Sequence, residues 1–187
     1  MTKILGNLFI SSENGIISDV TKNHVVNPST TILNTTDVKY GTGSVELTGN
    51  SAITVPNHQD FNLNGSDFTI DFWAKDIAQM HGCVLQLSSE RFGANVGYFW
   101  DSGNLECNFT DRDSGSVWYI LNRLSMGAVP GAQWTHYALV KHNDEYRTYR
   151  NGTYVASVTN SSIIYGTSGE LAIGRYTNTS SGYYYLL

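Results

Sequence analysis

Gln133-Trp134-Thr135-His136-Tyr137-Ala138-Leu139-Val140-Lys141 leads into Tyr149-Arg150-Asn151-Gly152. Side chains that alternate with period two mark half-buried β-strands, and Asn-Gly between two such runs is a strong short hairpin signal. Gly152 is expected to supply the positive φ of a type I′ turn. On the first strand Trp134, Ala138 and Val140 share a face, which is assigned to the core. His136 lies on that face and reads as a hydrogen-bonded core histidine. Three further alternating segments come earlier: Tyr40–Leu47, Ala52–Pro56 and Asp67–Trp73. In the last of these Phe68, Ile70, Phe72 and Ala74 point one way, and Thr69, Asp71 and Trp73 the other.

Working outward, residues 4–10 and 16–20 read as short strands split by Ser11–Gly15, and Asn27-Pro28 marks a turn. A strand is expected near Thr31–Leu33. Residues 44–48 and 52–56 read as a hairpin around Thr48–Ser51. In the loop from His58 to Ser66, Phe61 and Leu63 are expected to plug one end of the molecule. Residues 76–82 suit one short helical turn. A meander of 83–88, 95–100, 104–110 and 116–122 follows, and strands at 134–141, 145–150, 153–159 and 170–174 complete the set. About a dozen short strands with regular turns favour an all-β, antiparallel β-sandwich of jelly-roll type. No repeat or linker divides the chain, so residues 1–187 read as a single domain.

The composition is polar but weakly charged: 14% of residues are charged, against 41% hydrophobic. That balance suits a surface or extracellular β-protein more than a cytosolic enzyme. The formal net charge is −5, and the 11 Lys and Arg residues are scattered. No basic cluster tracks phosphates, so no nucleic-acid partner is expected. No apolar run is long enough to span a membrane as a helix. The N-terminus alternates and reads as a first strand, not as a signal peptide. Cys83 and Cys107 each lie on an alternating run beside core residues. They read as buried hydrophobes with free thiols, with a cross-strand disulfide as the alternative.

The segments quoted above, with Leu171-Ala172-Ile173-Gly174-Arg175, resemble the laminin-G-like, concanavalin A-like lectin domains. The resemblance runs from about Tyr40 to Arg175. It implies a concanavalin A-like jelly roll, a fold found in lectins, adhesins, virion proteins and some hydrolases. Fold alone does not choose among these. The family often binds calcium at loop carboxylates, but no residue here matches such a site, so no cofactor is assigned and Ca²⁺ stays an open alternative. The chain departs from the family at two places. Its hairpin strand carries Tyr146, Thr148 and Arg150 on one face and Arg147 and Tyr149 on the other. Its end reads Gly182-Tyr183-Tyr184-Tyr185-Leu186-Leu187 in place of the usual closing strand. Tyr183, Tyr184 and Tyr185 are expected either to pair beside the first strand or to contact a neighbouring subunit.

Hydrolases of this fold carry two Glu on one strand face, because glycoside cleavage needs an acid and a nucleophile about 5–5.5 Å apart. No such spacing occurs here. Asp111/Asp113 and Asp144/Glu145 fall in expected turns, where carboxylates serve backbone hydrogen bonds. The five histidines form no metal-ligand spacing. The usable clue is aromatic, since sugar rings stack their C–H faces on Trp and Tyr. The candidate ligand-binding residues are Trp73, Trp100, Trp118, Tyr119, Arg147 and Tyr149. These features lead to a non-enzymatic structural and binding module. The first reading is a phage or viral virion protein, on the virion surface, assembling with other virion subunits or with itself as a homo-oligomer and binding host glycans. The alternative is a lectin or adhesin domain of an extracellular bacterial protein. A glycoside hydrolase is a remote third.

Overall fold

The computed structural model describes residues 10–13, 16–77, 82–87, 94–98, 103–110, 120–164, 169–178 and 182–185. Among them the regular structure is strand, apart from one 3-10 turn. The N-terminal part holds β1 (Ile10–Glu13), β2 (Ile16–Asp19), β3 (Asn27–Ser29), β4 (Ile32–Asn34), β5 (Ser44–Glu46) and β6 (Ala52–Val55). After a single 3-10 turn at Gln59–Phe61 come β7 (Phe68–Ala74), β8 (Gly82–Leu87), β9 (Ala94–Tyr98), β10 (Asn104–Phe109) and β11 (Leu121–Ala128). The remainder is β12 (Thr135–His142), β13 (Glu145–Arg150), β14 (Thr153–Thr159), β15 (Leu171–Ile173), β16 (Arg175–Asn178) and β17 (Gly182–Tyr185).

Two antiparallel sheets build the sandwich. One has seven strands in the order β11-β10-β9-β8-β15-β6-β3, the other four in the order β14-β13-β12-β7. Three two-stranded ribbons, β1-β2, β4-β5 and β16-β17, complete it. Alternation decides what lies between the sheets. Phe68 and Ile70 of β7, Tyr137 and Leu139 of β12, and Tyr146 of β13 face Leu85 and Leu87 of β8, Val96 of β9, and Leu105, Cys107 and Phe109 of β10 in one apolar cluster. Phe68, Phe109 and Tyr146 meet ring to ring at 6.2–6.3 Å. Phe61 and Leu63 are fully buried against this cluster, as the plug expected of their loop. Cys83 and Cys107 are buried free thiols, and burial pushes both well above the usual thiol range. The disulfide alternative is thereby set aside.

The expected I′ hairpin is present. Asn151 (φ 49°) and Gly152 (φ 78°) join β13 to β14. At Gly174 (φ 81°) the chain leaves the large sheet, and a Cβ there would sit 2.7 Å from Leu47 Cδ1. The next segment, β16, pairs with β17 in the register Arg175↔Tyr185, Tyr176↔Tyr184 and Thr177↔Tyr183. The tyrosine strand therefore closes a C-terminal hairpin against β8 and does not pair beside the first strand. The side chains of Tyr183, Tyr184 and Tyr185 lie outside the described part.

Several local expectations are corrected. On β12 the core face is Thr135, Tyr137 and Leu139. Ala138, Val140 and His136 therefore lie on the outer face, and His136 is no core histidine. Both faces of this strand carry apolar residues, so hydrophobicity alone does not fix which one turns inward. Ser44–Glu46 pairs with β4 and not with β6, so the turn at Thr48–Ser51 joins two different sheets. Asn27-Pro28 lies in β3, at the edge of the large sheet, where a missing N–H costs no ladder bond. Ser11–Glu13 is part of β1 and not a loop. Glu145 opens β13 and is not a turn residue. Of the strand expected at 116–122, residues 116–119 lie outside the described part, and a strand runs at Leu121–Ala128; strand β8 begins at Gly82, inside the expected helical turn.

Candidate functional site

The outer face of the four-stranded sheet is the best-organised surface among the described residues. Register places the side chains. His136 of β12 lies opposite Trp73 of β7, and Ala138 lies between Asp71 and Tyr149. Tyr149 in turn pairs with Tyr154 of β14. One outer row therefore reads Asp71, Ala138, Tyr149, Tyr154, with Trp73 and His136 at its flank. Strands lie about 4.8 Å apart, so Asp71 to Tyr149 spans roughly 10 Å. Asp71 and Ala138 are buried, each 8% exposed, and the rings stand on both sides of them.

Trp73 is the centre of one side. It is 37% exposed, tilted against His136 at 5.1 Å and edge-on to Tyr40 at 5.6 Å. Lys39 Nζ stands 4.1 Å over the Trp73 ring, within cation–π range. His136 Nε2 lies 3.4 Å from Asp71 Oδ2. The backbone of His136 is itself pinned. Its N–H donates to Asn151 Oδ1 at 2.9 Å, and its carbonyl accepts from Asn151 N at 2.8 Å. The hairpin turn thus holds the ring beside Trp73.

Lys39 and Tyr40 come from a loop, and Asp37 ties that loop down. The Lys75 ammonium pairs with one carboxylate oxygen of Asp37, and Trp134 Nε1 donates to the other at 3.0 Å. Ser44 Oγ donates to the Asp37 carbonyl at 2.6 Å. The hydrogen bond from Lys75 holds the Asp37 carboxyl below its ordinary value, and the same bond raises Lys75. Trp134 is therefore a loop anchor.

On the other side Tyr149 and Tyr154 meet edge-on at 6.3 Å, with Tyr154 55% exposed. Arg147 projects beside them and pairs with Glu145 at 2.6 Å. The Glu145 carboxylate, then the Tyr149 hydroxyl, hold the Arg147 guanidinium above its usual range. The platform offers aromatic faces, two cations, an imidazole and a carboxylate on one surface. That combination suits stacking on apolar ring faces and hydrogen bonding to hydroxyls.

Of the residues singled out in the sequence, Trp73, Arg147 and Tyr149 share this face. Trp100, Trp118 and Tyr119 lie outside the described residues, as do Asp111 and Asp113. Lys39, Tyr40, His136 and Tyr154 were not anticipated. Tyr154 was within reach, because the I′ turn places it opposite Tyr149. A second grouping was also missed: His24, His58 and Asp60 bring one ligand atom each within 4.8 Å of one another. His24 is distant in sequence from His58 and Asp60, and only the fold brings it to them.

The outer face of the seven-stranded sheet differs. Gln86, Asn95 and Asn108 lie side by side in register, opposite in parity to the core residues of their strands. All three are fully buried. Glu106, 3% exposed, is held by Arg123 at 3.0 Å. The row thus carries amides, and the neighbouring carboxylate is already paired.

A family profile described as the concanavalin A-like lectin/glucanases superfamily matches residues 47–185, and the chain belongs to that superfamily. Comparison with the sequences of curated proteins gave no match. Among solved structures, the chain is similar to domain 4 of AbnA, a GH43 extracellular arabinanase from Geobacillus stearothermophilus, in complex with arabinotriose. The TM-score is 0.64 at 20% identity, covering 90% of this chain and 82% of that one. It is also similar to the botulinum neurotoxin serotype G binding domain, with a TM-score of 0.62 at 16% identity, covering 90% of this chain but 42% of that one. The serotype D binding domain gives 0.61 at 16% identity, with 89% and 42% coverage. This chain thus spans less than half of the toxin binding domains. At these identities the likeness is one of fold.

Proposed function

We propose that this domain is a non-catalytic carbohydrate-binding module that takes a sugar chain on the outer face of its four-stranded sheet. One observation carries the reading. Trp73, 37% exposed, stands on the edge strand at the flank of a platform whose other members, Tyr40, Lys39, His136, Tyr149 and Tyr154, are held by strand register and by the Asp37 clamp. A sugar face packs on the indole, and its hydroxyls meet Lys39, His136 and Arg147, with the buried Asp71 behind His136. The amide row and the paired Glu106 on the other sheet are in keeping with binding without turnover. A module of this kind belongs outside the cell, on a secreted protein or a particle surface. The virion role rests on sequence features alone, and the similar structures add nothing to it. The arabinotriose bound to the similar arabinanase domain makes arabino-oligosaccharides the first probe.

The test is a glycan array that includes arabinan fragments, run with the native domain and with Trp73→Ala and Tyr149→Ala. Binding to a defined glycan class that both substitutions weaken is the expected result. Binding indifferent to both, or no glycan bound at all, would overturn the proposal.

A further inference from the structure

Away from the platform, the loop after β2 and the 3-10 turn meet through His24, His58 and Asp60. Asp19 organises one half of this junction. Its carboxylate, wholly buried, accepts from Thr21 N at 3.0 Å, Thr21 Oγ1 at 2.7 Å, Asn23 N at 3.2 Å and His24 N at 3.1 Å. It lies 2.8 Å from His24 Nδ1. An ionised carboxylate only accepts, so His24 Nδ1 carries the proton in this contact. The other nitrogen, Nε2, then faces the junction.

His24 is 1% exposed in its side chain, and Nε2 is buried without a hydrogen-bond partner. It lies 3.3 Å from Asp60 Oδ2, and with the proton on Nδ1 neither of these two atoms has a hydrogen to donate. His58 stands edge-on to His24 with ring centroids 4.8 Å apart, and its Nδ1 is 3.4 Å from Asp60 Oδ1. Phe61 stacks on His24 at 5.1 Å and walls the apolar side. A buried nitrogen without a partner needs an explanation, and here it is aimed at a second imidazole and a carboxylate.

We infer that His24, His58 and Asp60 form a binding site for a divalent transition metal, zinc by donor type. Two imidazoles and one carboxylate suit zinc, with a fourth position open to water. Calcium would seek more oxygens than the three residues offer. Asp19 takes the outer role, fixing the tautomer and aim of His24 as carboxylates do behind metal-bound histidines. The donor atoms lie within 4.8 Å of one another. Tetrahedral zinc with bonds of about 2.0–2.1 Å needs roughly 3.3 Å between donors. Closure asks for a small movement of His58 and Asp60, which are 40% and 22% exposed in their side chains and have room to make it. The ion would clamp the loop after β2 to the turn that carries the Phe61 plug. It would serve stability and leave the sugar platform untouched.

The experiment measures zinc per chain by elemental analysis after gel filtration, with melting temperatures with and without zinc. The native domain is expected to retain one zinc and to gain about 5–10 °C at a hundredfold excess over Kd. His58→Ala is expected to retain less than a tenth of that zinc and to lose the shift, with its metal-free melting temperature lowered by about 2–4 °C, because His58 Nδ1 also caps the 3-10 turn by accepting from Asp60 N at 3.2 Å. His142→Ala, which removes an exposed histidine paired with Asp67 at 2.8 Å, should bind zinc like the native chain. Cobalt in place of zinc should give visible absorption bands in the native domain and none in His58→Ala. No zinc retained, an equal shift in His58→Ala, or a shift with calcium and none with zinc would overturn the inference.

Discussion

The two sheets follow the same alternation but turn opposite surfaces outward. On the four-stranded sheet the outer face keeps Trp73, Tyr149 and Tyr154 at least partly in solvent, around the small Ala138. On the seven-stranded sheet the outer face is covered, and Gln86, Asn95 and Asn108 are fully buried. Asn95 finds no partner for either amide atom, and Asn108 none for its nitrogen. The contrast teaches that period two decides only which side chains leave the core. What covers them afterwards decides whether they become a binding surface or a second interior.

Charge separates the two faces most sharply. Asn95→Asp would bury a carboxylate at a position where the amide has no hydrogen-bond partner among the described residues, at a cost of about 3–5 kcal/mol in urea unfolding. A loss below about 1 kcal/mol would mean that water reaches this face and that the contrast is false. Trp73→Ala addresses the open face. It is expected to weaken glycan binding about 30-fold, near 2 kcal/mol, as for a central aromatic anchor. Stability should fall by no more than about 1 kcal/mol, since the residue is 37% exposed and packs, among the described residues, on Tyr40, His136 and Lys39. Equal losses of binding and stability would make Trp73 a packing residue.

A third test uses pH. Asp37 is held below its ordinary 3.8 by Lys75. Its contribution to anchoring the loop is complete above pH 3.8 and is lost as pH falls through the lower folded value. Tryptophan emission should shift below pH 3.8 as Lys39 leaves the Trp73 ring, and Asp37→Asn should remove that transition. The smallest effect lies in the core between the faces. Burial pushes the Tyr146 hydroxyl up to about 12, and the group has no hydrogen-bond partner. Tyr146→Phe should therefore stabilise by about 1 kcal/mol in calorimetry.

Much of this was legible in the sequence. Asp67–Trp73 alternates bulky apolar residues with polar ones, so its core face and the outward Trp73 follow directly. Asn151-Gly152 fixes the hairpin of β13 and β14 and hence the pairing of Tyr154 with Tyr149, while β12, between β7 and β13, puts Arg147 and Tyr149 on the same face as Trp73. β12 was misread because Ala138 and Val140 look as apolar as Tyr137 and Leu139. That error hid His136. Lys39 and Tyr40 were hidden for another reason: their loop is placed by Asp37 reaching Lys75 and Trp134, contacts across long sequence separation that no local pattern reveals. His24, His58 and Asp60 meet in the same non-local way. The tyrosine-rich end showed its strand character but not its partner, because Tyr183–Tyr185 could pair with any free edge.

The most direct measurement is backbone and indole NMR of the domain during titration with a glycan identified on the array. The expected outcome is a contiguous set of shifted resonances at Trp73, His136, Ala138, Tyr149 and Tyr154, with Gln86, Asn95 and Asn108 unmoved. Shifts confined to the seven-stranded sheet or to loops remote from Trp73 would contradict it.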